Sequence, residues 1–255
     1  MSESRWWRDY FGEDFFKLHV DLFPEALSRR EVAGMLELLQ VPVGGAILDV
    51  PCGWGRHAVL LAQAGYRVVG SDLSYALLAR APAGPHYLAA DIRRQPLKDA
   101  SFDAVINVFT SLGLFLDDAE DIAALREAHR LLKPGGRFLL ESMHRDDVIA
   151  SYAERDRWFL PDGTEVRVRR RFDPVKGISY ERLRWQRGAE AGRKRHALRL
   201  RTATEIAALL RAAGFEDVAY YGSWEGSPFT HHDASLIAVA TKPRDGCGSP
   251  PAPLT

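Results

Sequence analysis

Hydrophobic positions along the chain fall into three successive regimes. Over residues 1–40 a dense aromatic set, Trp6, Trp7, Tyr10, Phe11, Phe15, Phe16 and Phe23, keeps helical spacing with Leu18 and Leu22, and Ser28 is placed to cap a further helix. Residues 46–50 then form an aliphatic run too short for a helix and closed by Pro51, which predicts a buried strand. Residues 51–55 make a turn, Ala58, Leu60, Leu61 and Ala62 return at helical spacing, and Gly65 supplies the stop of a left-handed C-terminal cap. Residues 67–70 predict the next strand, so the unit is strand-turn-helix-strand, right-handed if its strands are parallel. The alternation continues with a short helix at 74–81, strands at 86–89 and 101–108, a helix at 117–132, a turn at 133–136 and a strand at 137–141.

From 143 to 200 the period becomes two. Residues 158–160, 165–172, 178–185 and 193–201 read as extended runs joined by hairpin signals at 161–163 and 173–177. A helix at 204–213 and extended runs at 218–221 and 234–241 close the pattern, and the Pro/Gly-rich tail 243–255 is expected to be disordered.

Composition narrows this reading. With 255 residues, 46% of them hydrophobic, the chain can bury one sizeable core, most simply a single domain with an elaboration. No apolar stretch is long enough to cross a bilayer and the first residues lack the apolar centre of a leader, so a cytoplasmic protein without membrane contact is expected. The two cysteines, Cys52 and Cys247, make no disulfide framework or thiolate metal site, and Cys52 reads as a small residue filling a tight loop. Formal charge is zero overall, yet between 165 and 201 thirteen basic residues face four acidic ones, which leaves that segment at +9 and the remainder at −9.

The candidate chemistry sits at the ends of the first two strands, because open α/β sheets bind ligands beyond the carboxyl ends of their strands. Gly53 and Gly55 let a ligand approach the backbone, and Asp72 ends the second strand where a carboxylate can accept both hydroxyls of a ribose. A nucleoside-containing cofactor is implied, of one of two classes. Residues 53–58 satisfy the dinucleotide fingerprint, with Asp72 near the distance of its acid. Asp49, however, faces the same loop, where its charge repels a pyrophosphate and suits an ammonium or sulfonium group.

Asp49-Val50-Pro51-Cys52-Gly53-Trp54-Gly55 resembles the first motif of the class I S-adenosylmethionine-dependent methyltransferases, (D/E)-x-G-x-G-x-G, with Pro51 in place of the first glycine; the turn L-L-K-P-G-G-R-F-L-L adds to the likeness. The resemblance implies an α/β fold, a doubly wound, seven-stranded, mostly parallel Rossmann-like sheet closed by an antiparallel hairpin that a dinucleotide domain lacks. Its expected layout is an N-terminal helical cap (1–45), a core (46–144 and 201–242) and an antiparallel β insert (145–200) as substrate lid. It implies S-adenosylmethionine as cofactor, held by Asp49, Pro51, Cys52, Gly53, Gly55, Asp72 and Leu73. Asp91 and Ile92 would meet the adenine, Asn107 the ammonium of the methionine part, and Phe109 and Phe115 the methyl group.

Direct displacement from a sulfonium calls for no metal or covalent intermediate, only alignment and exclusion of water. For a nitrogen or oxygen acceptor, His144 is the expected base, with His231-His232 another candidate, Glu141 orienting an amine and Tyr10 touching substrate. The basic insert reads either as a solvated sheet face or as a lid attracting an anionic small-molecule acceptor, ahead of a nucleic-acid face. A nicotinamide-dependent oxidoreductase, an RNA methyltransferase and a non-catalytic nucleoside-binding module are the rival readings.

Overall fold

A computed structural model describes residues 6–244. From residue 245 on, the tail expected to be disordered, with Cys247, lies outside the described residues. Among the described residues eleven strands form two sheets, accompanied by eight α-helices. The central one has seven strands in the order β10-β11-β5-β4-β1-β2-β3: β1 (Ala46–Asp49), β2 (Arg67–Asp72), β3 (His86–Ala89), β4 (Phe102–Asn107), β5 (Leu132–Met143), β10 (Glu216–Tyr221) and β11 (Ser235–Thr241). β1 pairs in parallel with β2 and β4, while β11 runs antiparallel to both β5 and β10. The reversed closing strand expected from the resemblance is therefore present.

β1 lies mid-sheet and is buried along its whole length, which is why its sequence is a continuous apolar run. On one face α3 (Glu25–Leu39) and α4 (Arg56–Gln63) pack Met35, Leu39, Ala58 and Leu61 against Ile47 and Ile106. On the other, α6 (Asp118–Leu131) and α8 (Ala203–Ala212) pack Leu125, Leu131, Ile206 and Leu210 against Leu48, Val105 and Phe138. Thr202 starts α8 with a full capping box, its side chain accepting from the Glu205 N–H. α5 (Tyr75–Leu78) is one turn, capped by Ser74.

The second sheet, β6-β7-β8-β9, is antiparallel: β6 (Arg155–Phe159), β7 (Glu165–Asp173), β8 (Ile178–Arg187) and β9 (Glu190–Arg199). Its inner side buries Val166, Val168 and Leu183 against Leu18 of α2 (Glu13–His19). α1 (Trp7–Tyr10) touches β9, so both short N-terminal helices lie against the insert while α3 joins the helical layer of the main sheet.

Three local expectations are corrected. Ser28 does not cap a helix; α3 already starts at Glu25 after Pro24, and Ser28 is buried and accepts from Arg56 Nη1. α7 (Arg145–Ala150) opens the region expected to be a β insert, in a stretch to which the sequence assigned no element, its short length hiding any periodicity. The Lys133-Pro134-Gly135-Gly136 turn lies inside β5 as an irregularity in its ladder with β4, with Gly135 at φ 77°.

Gly34 shows how closely α3 is packed. A Cβ built there lies 2.3 Å from the Trp224 carbonyl oxygen and 2.6 Å from Trp224 Cβ. Alanine for glycine inside a helix ordinarily stabilises by about 0.5–1 kcal/mol. Here Gly34→Ala is expected to destabilise by about 1–3 kcal/mol through overpacking, read as a lower urea midpoint at unchanged m; a raised midpoint would show that Trp224 moves aside freely.

Candidate functional site

Strand order reverses at β1, between β2 and β4, and a crevice opens at that point in such sheets. A cavity of about 650 Å³ lies there. Its floor comes from the loops after β1, β2, β3 and β4; its roof carries Trp6, Tyr10, Phe11, Phe15 and His19 from the N-terminal helices; its far wall carries Arg170, Ser179, Glu181 and His196 from the second sheet.

The two turn glycines serve different needs. Gly53, at φ 56°, faces open space, since a Cβ there meets nothing within 4 Å. Gly55, at φ 75°, has the Tyr87 hydroxyl 2.4 Å from where its Cβ would be, so its role is close packing, and it does not line the cavity. Asp72 does line it. Its Oδ2 accepts from the Gly53 N–H and its Oδ1 from the Ser74 N–H, each at 2.8 Å. Burial raises its pKa, with the N–H groups of Ser74 and Gly53 opposing. Pro51, Cys52 and Leu73 also line the cavity.

Asp49 stays behind the turn rather than in the lining; it is 1% exposed and neither carboxylate oxygen closes a hydrogen bond. Burial pushes its pKa up to about 7, with Arg56 and the Ala58 N–H opposing and Asp72 adding to the rise. Asn107 is likewise withdrawn. Its Nδ2 donates to the Val50 carbonyl at 2.9 Å and joins the ends of β1 and β4, while its Oδ1 is buried without a partner beside a separate small hole of about 20 Å³. Direct contact of Asp49 or Asn107 with a ligand in the main cavity is not what the structure shows.

Asp91 and Ile92 reach the cavity, but Arg93 engages both Asp91 oxygens, holds that carboxyl below the usual range, and pairs with Glu120 at 2.8 Å. Phe109 and Thr110 both adopt left-handed backbone, φ 62° and 55°. Glu141 secures them: its Oε2 accepts the Phe109 N–H at 2.7 Å and its Oε1 the Ser235 hydroxyl at 2.8 Å, while Phe23 meets the Phe109 ring edge-on. Burial raises the Glu141 pKa.

His144 must be corrected. It is fully buried, its Nε2–H donates to the Asp233 carbonyl, and it does not line the cavity, so it is no base for a substrate there. His231 and His232 are exposed outside the cavity. Tyr10 lines it, with burial raising its pKa. The expected pull on an anionic acceptor also fails, because most of the insert's arginines lie on the sheet face turned away from the cavity; only Arg170 of them lines it, and it is tied to Glu181 at 2.7 Å.

Two lining groups escaped the sequence reading. Glu31 of α3 accepts from His57 Nε2 at 2.7 Å and from Arg56; burial opposes its charge, but these donors outweigh it and hold the carboxyl low, while burial pushes His57 down to about 4. On the far wall His196 Nδ1 faces Glu181 at 3.4 Å, and Trp6 and Tyr10 pack on its ring. Partners that far apart in the chain leave no spacing signal.

Residues 47–136 match the model of a family described as a methyltransferase domain. An uncharacterized methyltransferase of Synechocystis sp. is 38% identical over 117 residues, 43% of this chain and 52% of that one, so the chain spans about half the length of the curated relatives it matches. Among solved structures the CcbJ methyltransferase of Streptomyces caelestis aligns with a TM-score of 0.80 at 20% identity, covering 92% of this chain and 99% of that one. CalS10, an amino pentose methyltransferase of Micromonospora echinaspora solved with bound SAM, aligns with a TM-score of 0.69 at 25% identity, covering 92% and 98%.

The isolation of Asp49 has a measurable consequence. A carboxyl raised from 3.8 to about 7 keeps its proton in the fold after the unfolded chain has lost it, so stability falls as pH rises through that window. Asp49→Asn removes the titration. Its gain in ligand-free Tm over wild type is expected to grow from about pH 5 to about pH 8, by the equivalent of about 1 kcal/mol or more. A gap that does not change with pH would mean that Asp49 is compensated in the fold.

Proposed function

We propose that this chain, whose residues 47–136 match a methyltransferase-domain model and whose fold aligns with solved methyltransferases, transfers a methyl group from S-adenosylmethionine to a nitrogen or oxygen atom of a small-molecule acceptor. The observation that carries this reading is the roofed cavity of about 650 Å³ at the switch point, within the usual range of about 300–1,000 Å³ for small-molecule sites. Its floor fits the cofactor: Gly53 leaves the backbone open, and Asp72, already fixed by two N–H donors, is among the lining residues.

On this reading Asp72 accepts the ribose hydroxyls, Gly53, Cys52 and Leu73 border the nucleoside, and Ile92 gives the adenine a flat apolar wall. Asp49 acts through its field from behind the turn. When bound, S-adenosylmethionine supplies an activated methyl group that a nucleophile displaces directly. The protein must then hold the acceptor and keep water out, tasks for Tyr10, Phe11, Phe109 and Trp6. An amine suits the lining best: Glu141 offers a carboxyl held only by an N–H and a hydroxyl, whereas Glu31 and Glu181 are already paired with Arg56 and Arg170, and aromatic faces tolerate a cation. Glu141, its pKa raised by burial, is suited to orient the amine and receive its proton. CalS10, whose acceptor is an amino pentose, supports the same choice.

A nicotinamide cofactor fits less well, since the acidic Asp49 stands behind the phosphate-binding turn of that reading and β11 closes the sheet in reverse. Calorimetry with S-adenosylmethionine, S-adenosylhomocysteine and NAD separates the two: the first pair binds and NAD does not. Asp72→Ala is expected to lower affinity for S-adenosylhomocysteine by about 10–100-fold, and unaltered affinity would place the ribose elsewhere. A screen with methyl-labelled cofactor against small amines, hydroxylated metabolites and RNA should label an amine, and label appearing in RNA alone would overturn the acceptor class.

A further inference from the structure

The outer face of the second sheet carries a feature that the methyl-transfer reading does not use. Side chains alternate along its strands, so Arg170, Glu181 and His196 turn toward the cavity while their neighbours turn away. On the outward side the register lines up arginines across all four strands. One row is Arg155, Arg169, Arg182 and Arg195. Beside it runs Arg157, Arg167, Arg184 and Arg193. All eight are exposed. Arg157 and Arg167 share Glu165, and the other six form no ion pair among the described residues.

Like charges directly opposite one another on a sheet are unfavourable. Here six such neighbouring pairs stand together, held in place by the apolar packing of Val166, Val168 and Leu183 on the inner side. The protein alone offers no carboxylates to most of them, so the array suits an external acidic partner. Strands lie about 4.8 Å apart and alternate residues about 6.7 Å apart, so the array measures about 14 Å by about 7 Å. An α-helix with carboxylates at i, i+4, i+7 and i+11 advances about 5.4 Å per turn and can present one carboxylate to each strand. Guanidinium and carboxylate match as bidentate pairs.

Two observations favour such a helix over a nucleic acid. The rings beside the rows on that face, Phe159 and Tyr180, already lie under the guanidinium groups of Arg157 and Arg171, so neither is a free platform on which a base could stack. The chain outside 165–201 carries net charge −9, so a long phosphate backbone running beyond the array meets an acidic molecule, whereas a short segment ends within it. We propose that the outer face of β6–β9 docks an acidic amphipathic helix of a partner protein, laid across the strands.

The test uses the full chain and three labelled probes in fluorescence anisotropy. They are an alanine-based helix with Glu at i, i+4, i+7 and i+11, a rearrangement of that peptide with Glu spread around the helix, and a DNA duplex of about 20 base pairs. The aligned helix should bind best, with affinity falling as salt rises. The Arg182→Glu/Arg184→Glu variant should weaken it about tenfold or more, with S-adenosylhomocysteine affinity unchanged as a check on the fold. Arg182→Gln/Arg184→Gln should fall between that variant and wild type. The proposal is overturned if the aligned helix does not bind, if both peptides bind alike, if neither variant weakens binding, or if the duplex binds more tightly than the aligned helix.

Discussion

The Asp72 carboxylate accepts one N–H from the turn after β1 and another from the loop after β2, and this pair of bonds ties two neighbouring strand ends into one rim. Much of the site depends on it. Gly53 can keep its left-handed backbone facing open space because its N–H is satisfied from below. The bond to Ser74 holds the start of α5, and the Ser74 hydroxyl in turn donates to the Phe11 carbonyl at 2.6 Å, which brings the N-terminal helices down over the cavity. A single acidic side chain thus links the nucleotide rim to the roof.

How much of this was legible follows from where each signal lies. Gly53, Asp72 and the alternation of strand and helix are local, so composition and spacing expose them, and β11 could be expected once the family likeness was seen. The likeness named Asp49 and Asn107 but not their depth: a strand-end residue points up into the crevice or back into the layer, and the ladder alone decides which. Asn107 turns back to Val50. His144 stands just past β5 as a base might, yet the loop before β11 lies against it and takes its Nε2–H. Arg93, only two residues after Asp91, was in plain view; that it would close back onto that carboxylate depends on Glu120 and Phe115 holding its guanidinium from the other side. Glu31, Glu181 and His196 were hidden because each meets the cavity from an element remote in the chain.

The insert illustrates why counting charge along a segment misleads. A net excess of arginine between 165 and 201 suggests a positive lid. Period-two alternation sorts the charges by face instead, sending the arginine rows outward and leaving the inner wall with Glu181, His196 and the paired Arg170. The strand that repels a cation on one side can therefore help receive one on the other.

Three acids in and behind the cavity floor are under-compensated, unlike Glu31 and Asp91, which Arg56 and Arg93 hold charged. Asp49, Asp72 and Glu141 all have carboxyl pKa values raised chiefly by burial, so each is more costly to ionise in the empty fold than in water. A cation entering the floor lowers that cost, and the first one to bind draws the carboxyls toward their charged forms. A second cation, a protonated amine, would then face both the attraction of Glu141 and the repulsion of the first. The arrangement is relieved when the amine loses its proton, and Glu141 is the lining carboxylate placed between Phe109 and Ser235 where that proton can go. On the proposed reading, then, the burial that makes Glu141 costly to ionise also keeps its proton affinity high enough to receive the amine's proton, while the bound sulfonium favours that loss by lowering the pKa of the amine itself.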